Sequence, residues 1–157
     1  MRLQYFQLID RIAGLDRAAQ TIRVEAQVPA TNTIFEEHFP GLPLMPGVLL
    51  IEAMAQSSGW LLIGLNRFTR MPFLAAIKEA KLRSFVTPGQ SLSISAGLVH
   101  EGSGYAVTKA AIEAEGKTVC GAEITFRVVP FPNESFRASM EAMARSIGFP
   151  MEAAVDG

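Results

Sequence analysis

The two side chains in this sequence best suited to moving protons are His38 and Glu52. They lie in the run His38-Phe39-Pro40-Gly41-Leu42-Pro43-Leu44-Met45-Pro46-Gly47-Val48-Leu49-Leu50-Ile51-Glu52-Ala53-Met54-Ala55-Gln56. Histidine titrates near neutral pH and can take a proton from a carbon made acidic by an adjacent thioester carbonyl. Here it stands in a loop bounded by Pro40, Pro43 and Pro46, whose fixed φ angles lower the entropic cost of holding an imidazole in one place. Glu52 is flanked by Leu49, Leu50, Ile51, Ala53 and Met54, and a carboxyl in apolar surroundings suits a group that must hold a proton and then donate it. The pair matches an α,β-elimination. Taken singly, His38 reads as an ordinary loop histidine and Glu52 as a structural carboxyl; the shared loop and helix context favours the catalytic reading.

Two further groups fit around them. Pro46 sits where a first helical turn should begin, because its missing N–H costs nothing there, so a helix is expected to start at Gly47. The first amides of a helix have no intrahelical acceptor and lie at the positive end of the dipole, so the Gly47 N–H can receive a carbonyl oxygen gaining negative charge. Gln56 follows Glu52 at i+4 on the same helix face and is placed to hold its carboxyl by a hydrogen bond.

The surrounding elements follow from hydrophobic periodicity. Thr21 to Val28 alternates strictly, with Ile22, Val24, Ala26 and Val28 on one side, as a strand with one buried face does, and Gln7 to Leu15 is expected to pair with it. Asn32 to Pro46 reads as a loop feeding one long helix, which the sequence predicts to be nearly dry. Phe73–Val86, Ser91–Val99, Tyr105–Ala114 and Thr118–Val129 read as strands of an antiparallel meander, separated by turn signals at Pro88-Gly89, Gly102-Ser103-Gly104 and Glu115-Gly116. A sheet with one apolar face and a single long apolar helix satisfy each other when the sheet wraps the helix, an α+β arrangement. Asn133 then reads as an N-cap, followed by Phe136, Met140, Met143 and Ile147 at helical spacing, so a short amphipathic C-terminal helix is expected before a frayed 150–157. Residues 1–132 form the main domain in this reading and 133–157 a helical tail packed on it or extending it.

Composition narrows the partners. The chain has 157 residues, of which 49% are hydrophobic, enough for one substantial core. With 14 basic and 15 acidic residues its net charge is −1, which builds no field for a phosphate backbone and argues against nucleic acid. The start MRLQYFQLIDR lacks the continuous apolar core of a secretory signal, so a cytoplasmic protein is expected. Leu44 to Leu65 is long and apolar enough to raise the question of a membrane span, but Glu52, Gln56, Ser57 and Ser58 near its middle favour a helix buried in protein. Cys120 is the only cysteine, which excludes an internal disulfide and a multi-cysteine zinc cluster; it is expected in the core. His100, beside Glu101 and Gly102 at a turn, is expected at the surface.

The pattern H-F-P-G-x-P-x-M-P-G-V-L-x-x-E-A-M-A-Q resembles the signature of the FabZ-type 3-hydroxyacyl-acyl carrier protein dehydratases. The likeness extends to YFQLIDR upstream, to AIKEAKLRSFVTPG downstream and through the strands ending near Pro130. The resemblance implies a hot-dog fold and a homodimer with its active sites at the subunit interface, of the kind that in this family often assembles further, to a hexamer built as a trimer of dimers. It also implies His38 of one subunit facing Glu52 of the other, Gly47 N–H polarising the thioester carbonyl, and an acyl carrier protein delivering the 3-hydroxyacyl chain, with no metal or organic cofactor. On that basis Trp60, Ile63 and Phe39 are candidates for lining an acyl tunnel, core packing being the competing reading for the helix residues. Arg67 and Arg70 mark a candidate lid or carrier-docking segment, or else a solvated turn. Departures from the pattern are Gln90 after the Pro-Gly turn, where many relatives have Asp, and a longer tail. Glu52, where the isomerising relatives carry Asp, points to dehydration alone. A thioesterase or coenzyme A hydratase on the same fold, and a non-catalytic acyl-binding module, are the alternatives.

Overall fold

The computed structural model describes residues 1–152. Strands β1 (Arg11–Asp16), β2 (Thr21–Gln27), β3 (Arg70–Leu82), β4 (Ser91–Gly102), β5 (Tyr105–Ala114) and β6 (Lys117–Pro130) form one antiparallel sheet in the order β1-β2-β4-β5-β6-β3. Helix α1 spans Thr33–Glu37, α2 Gly47–Leu65 and α3 Glu134–Ser146. The expected hot-dog arrangement is present: α2 lies against the sheet and its residues share one core with the inward positions of β2, β4, β5 and β6.

Period-two alternation made the wrapping possible. β2 places Ile22, Val24 and Ala26 inward, β4 Leu92, Ile94 and Ala96, β5 Ala106, Ala110 and Ile112, and β6 Cys120, Ala122, Ile124 and Phe126. At about 25 cal/mol per Å² of apolar surface, burial of such a face is the main driving force for the fold. Thr108 breaks the apolar run on β5, and its hydroxyl donates to the Ser58 hydroxyl of α2 at 2.8 Å, both side chains fully buried. Near its C-terminal end α2 approaches β1 so closely that a Cβ on Gly64 would come within 2.6 Å of Leu15 Cδ2, which accounts for a glycine inside a helix.

Five expectations need correction. The meander holds for β4-β5-β6 only, because β3 is paired with β6 and β4 with β2. β3 is therefore an edge strand, and it runs Arg70–Leu82 instead of Phe73–Val86, with Phe73, Leu74, Ile77 and Leu82 exposed. The loop before α2 contains the short helix α1, capped by Asn32, whose side-chain oxygen accepts from Ile34 N–H at 3.0 Å, and anchored by buried Phe35. The first strand begins at Arg11, since residues 3–5 form a 3-10 turn. Finally, α2 is not nearly dry. It is long and apolar enough to cross a membrane and 61% of that stretch is buried, but Val48, Glu52, Gln56 and Gly59 form a stripe that the sheet leaves uncovered.

The C-terminal helix is present where the spacing places it. Asn133 caps it, its side-chain oxygen accepting from Phe136 N–H at 2.8 Å. Ala144 and Ile147 are buried, and Phe149 beyond the helix packs 5.7 Å from Trp60 and edge-on to Phe68 at 5.4 Å. Of the segment expected to be frayed, 153–157 lie outside the described residues.

Candidate active site

His38 is the residue at which α1 ends, and a net of main-chain bonds fixes the turn that follows. The Phe39 and Leu42 amides donate to each other's carbonyls at 2.8 and 2.9 Å, and Leu44 N–H donates to His38 C=O at 2.9 Å. The imidazole is oriented from both sides. Its Nδ1 lies 3.0 Å from Leu44 C=O, and because a carbonyl only accepts, that contact puts the ring proton on Nδ1. Nε2 makes no hydrogen bond among the described residues, so its lone pair is open to a proton donor. The Phe39 ring stacks on the imidazole with centroids 4.1 Å apart.

The start of α2 faces the same space. His38, Phe39, Gly47 and Leu50, with Leu82 and Val86 from the β3 side, line a cavity of about 320 Å³. A Cβ at Gly47 would overlap the Leu82 side chain, so a glycine permits the close approach here. Met45 N–H donates to Val86 C=O at 2.7 Å, tying the loop to the chain beyond β3.

Glu52 is elsewhere. It lies on the uncovered stripe of α2 and lines a second, larger cavity of about 500 Å³ with Gln56, Trp60 and Ile63. Gln56 does more than the sequence implied. Its Nε2 donates to Glu52 Oε1 at 3.3 Å and to Phe6 C=O at 2.9 Å, while its Oε1 accepts from Leu8 N–H at 3.1 Å. It thereby fastens the N-terminal segment to α2 beside the carboxyl. Within one chain, then, the structure brings His38 together with Gly47 and Phe39, and Glu52 together with Gln56, Trp60 and Ile63, but it does not bring the two groups into one cavity.

Other residues singled out by the sequence are accounted for. The segment after α2 is a turn pinned to the body: Asn66 Oδ1 accepts from Thr69 and Arg70 N–H at 3.1 and 3.3 Å, Phe68 is buried, and Arg70 Nη2 donates to Val128 C=O at 2.8 Å. Gln90 closes its turn by accepting from Thr87 N–H at 2.9 Å. His100 is exposed, and its Nε2 meets the Tyr105 hydroxyl at 2.8 Å. Cys120 is fully buried, and burial pushes its thiol up to about 11. What the sequence reading missed is that α3 contributes Met140, Met143 and Ile147 to the Glu52 cavity; their common helix face was the available signal.

A family model described as a FabA-like domain matches residues 2–123. Curated relatives include the "3-hydroxyacyl-[acyl-carrier-protein] dehydratase FabZ" of Clostridium acetobutylicum, 34% identical over 78% of this chain and 86% of that protein. The protein of the same name from Bartonella quintana is 38% identical over 79% of this chain and 81% of its own length. Among solved structures, a "Hypothetical Thioesterase Protein with Coenzyme A" from Streptococcus pneumoniae superposes with a TM-score of 0.63 at 19% identity, covering 78% of this chain and 88% of that one. A hypothetical protein from Staphylococcus aureus gives 0.65 at 13% identity, covering 83% of this chain and 100% of that one. At such identities these two likenesses concern the fold alone.

Proposed function

The chain belongs to the FabA-like family, its activity is the dehydration of 3-hydroxyacyl thioesters on acyl carrier protein, and we propose that the reaction runs between two copies of the chain in the cytoplasm, with His38 of one subunit facing Glu52 of the other. The observation that carries the two-chain reading is the separation of His38 and Glu52 into different cavities of one chain, each with half of the required machinery. Two surfaces fit a second copy: the uncovered Val48-Glu52-Gln56-Gly59 stripe, where Val48 is 72% exposed, and the free edge of β3 with its exposed apolar residues. An unpaired edge of this kind is normally paired or covered.

The chemistry follows from the groups present. The thioester carbonyl accepts from the Gly47 N–H at the start of α2, where the helix dipole favours the negative charge that develops on its oxygen. His38 Nε2, freed by the Nδ1–H bond to Leu44 C=O, takes the C2 proton. The electron pair of that C–H bond becomes the C2=C3 double bond as the C3–O bond breaks, and Glu52 supplies the proton with which the hydroxyl leaves as water. Transfer of the proton now on His38 back to the Glu52 carboxylate restores the starting state. The acyl chain lies along the apolar residues of the Glu52 cavity, and the exposed Arg67 and Arg70 are candidates for meeting an acidic carrier protein.

The test is hydration of a crotonyl thioester, on carrier protein and on a pantetheine mimic. Wild type should turn over both, and His38→Ala and Glu52→Gln should each lose about 10²–10⁴-fold in rate while keeping the wild-type fold. Release of free thiol would replace this reading with a thioesterase, and binding without turnover would replace it with an acyl-binding module.

A further inference from the structure

Helix α3 lies beyond the residues that match the family, which end at 123, yet it walls the space next to the catalytic carboxyl. Along α2 the lining residues Glu52, Gln56, Trp60 and Ile63 recur on one face, and the eleven helical rises from Glu52 to Ile63 span about 16 Å of helix axis. Glu52 marks one end of that space. The other end is where α3 finishes: Phe149 packs against Trp60, and a Cβ on Gly64 would lie 3.5 Å from the Phe149 ring. Met140, Met143 and Ile147, at i, i+3 and i+7 of α3, turn into the same cavity.

Both ends of α3 are held while its middle spans the opening. At the start the Asn133 cap is joined by Phe136 against Phe131, with ring centroids 6.0 Å apart. At the finish Ile12 N–H donates to Ile147 C=O at 2.8 Å, which ties the helix end to β1. Between these anchors Met140 is half-buried and packs against the edge of the core, while Met143 is 50% exposed and keeps its side chain available to a guest. A methionine is unbranched and soft, and it adapts to an apolar guest better than a branched side chain does.

We propose that the face of α3 bearing Met140, Met143 and Ile147 closes the part of the cavity remote from Glu52 and thereby sets which acyl chain lengths the enzyme accepts. The proposal rests on the dehydratase reading, with the 3-hydroxyacyl group at Glu52 and the chain tail pointing towards Trp60. A short chain ends before it reaches α3. A long one must lie against Met140 and Met143.

The experiment uses the full chain as wild type, Met143→Trp and the double variant Met140→Ala/Met143→Ala. It compares kcat/KM on 3-hydroxybutyryl, 3-hydroxyoctanoyl and 3-hydroxyhexadecanoyl thioesters of acyl carrier protein. Single methylenes in apolar pockets already discriminate by about 10-fold or more. The ratio of hexadecanoyl to butyryl kcat/KM should therefore fall by at least about 10-fold in Met143→Trp and rise in the double alanine variant. A ratio that stays at the wild-type value in both folded variants overturns the proposal. Calorimetric binding of unreactive acyl-pantetheine amides of the same three lengths separates the two readings. If wild type binds with a length preference that these variants shift but turns nothing over, the dehydratase reading fails and the wall stands; if the preference does not shift, the wall fails.

Discussion

Two inactive variants should restore activity to each other. His38→Ala removes the imidazole and leaves the Glu52 cavity intact, and Glu52→Gln does the reverse, because one chain holds the two groups in separate cavities. In a two-fold dimer with shared sites, a mixed pair has one site with both defects and one with neither. Random mixing of equal amounts makes about half of all dimers mixed, so about a quarter of the wild-type sites are rebuilt. The assay is crotonyl-thioester hydration after co-refolding the two variants, with different affinity tags to purify the mixed species, which should then show about half of wild-type activity. Each variant refolded alone is the control and should stay at least about 10²-fold down. Purified mixed dimers as inactive as the parents would refute the shared site, since a site built within one chain is damaged in every subunit of such a mixture.

Gln56→Ala leaves the amide of fully buried Leu8 without its acceptor and releases Phe6, so it should cost about 2 kcal/mol and lower Tm by about 4–8 °C, besides slowing turnover by freeing Glu52; an unchanged melting curve would contradict the role assigned to Gln56. Thr108→Val should cost about 1–2 kcal/mol by denaturant midpoint because it strands the Ser58 hydroxyl, and adding Ser58→Ala should recover part of that loss, whereas strictly additive losses would count against the buried pair. For Cys120 the folded thiol holds its proton up to about 11 against 9.0 for the ordinary group. Above the lower value the unfolded chain carries fewer protons than the folded one, so this contribution to stability is fully present below pH 9.0 and is lost as pH rises through about 11. Cys120→Ala should flatten that part of the pH–stability curve, and wild type should resist thiol reagents at neutral pH until it unfolds.

The strands around the core were readable because each alternates against a single buried face, as Ile22-Val24-Ala26 and Leu92-Ile94-Ala96 do. Partner choice was not. Nothing local in Arg70–Leu82 says that it pairs with β6, and its run of apolar residues, which suggests burial, is exposed at an edge. Helix α1 had a signal in Asn32 three residues before the apolar Phe35, but the density of Pro and Gly after it reads as loop. At the site, the motif pointed to the dehydration chemistry and offered His38, Gly47 and Glu52 as the candidates for it. It did not show that His38 and Glu52 occupy different cavities, because that depends on which side of α2 the sheet leaves open. For the same reason the spacing of Met140, Met143 and Ile147 gave the helix without giving what it faces.

The order in which the chain is made runs against the order in which it packs. Helix α2 is complete at Leu65, but the strands that cover it, β4, β5 and β6, extend to Pro130, and β3 finds its partner only then, Arg70 lying opposite Pro130. During synthesis at roughly 5–20 residues per second, a nineteen-residue apolar helix therefore waits several seconds without its cover. By length and apolar composition alone such a segment matches a membrane-spanning helix. The polar stripe of Glu52 and Gln56, to which we assign the reaction's carboxyl and its holder, also makes the naked helix a poorer substrate for insertion into lipid.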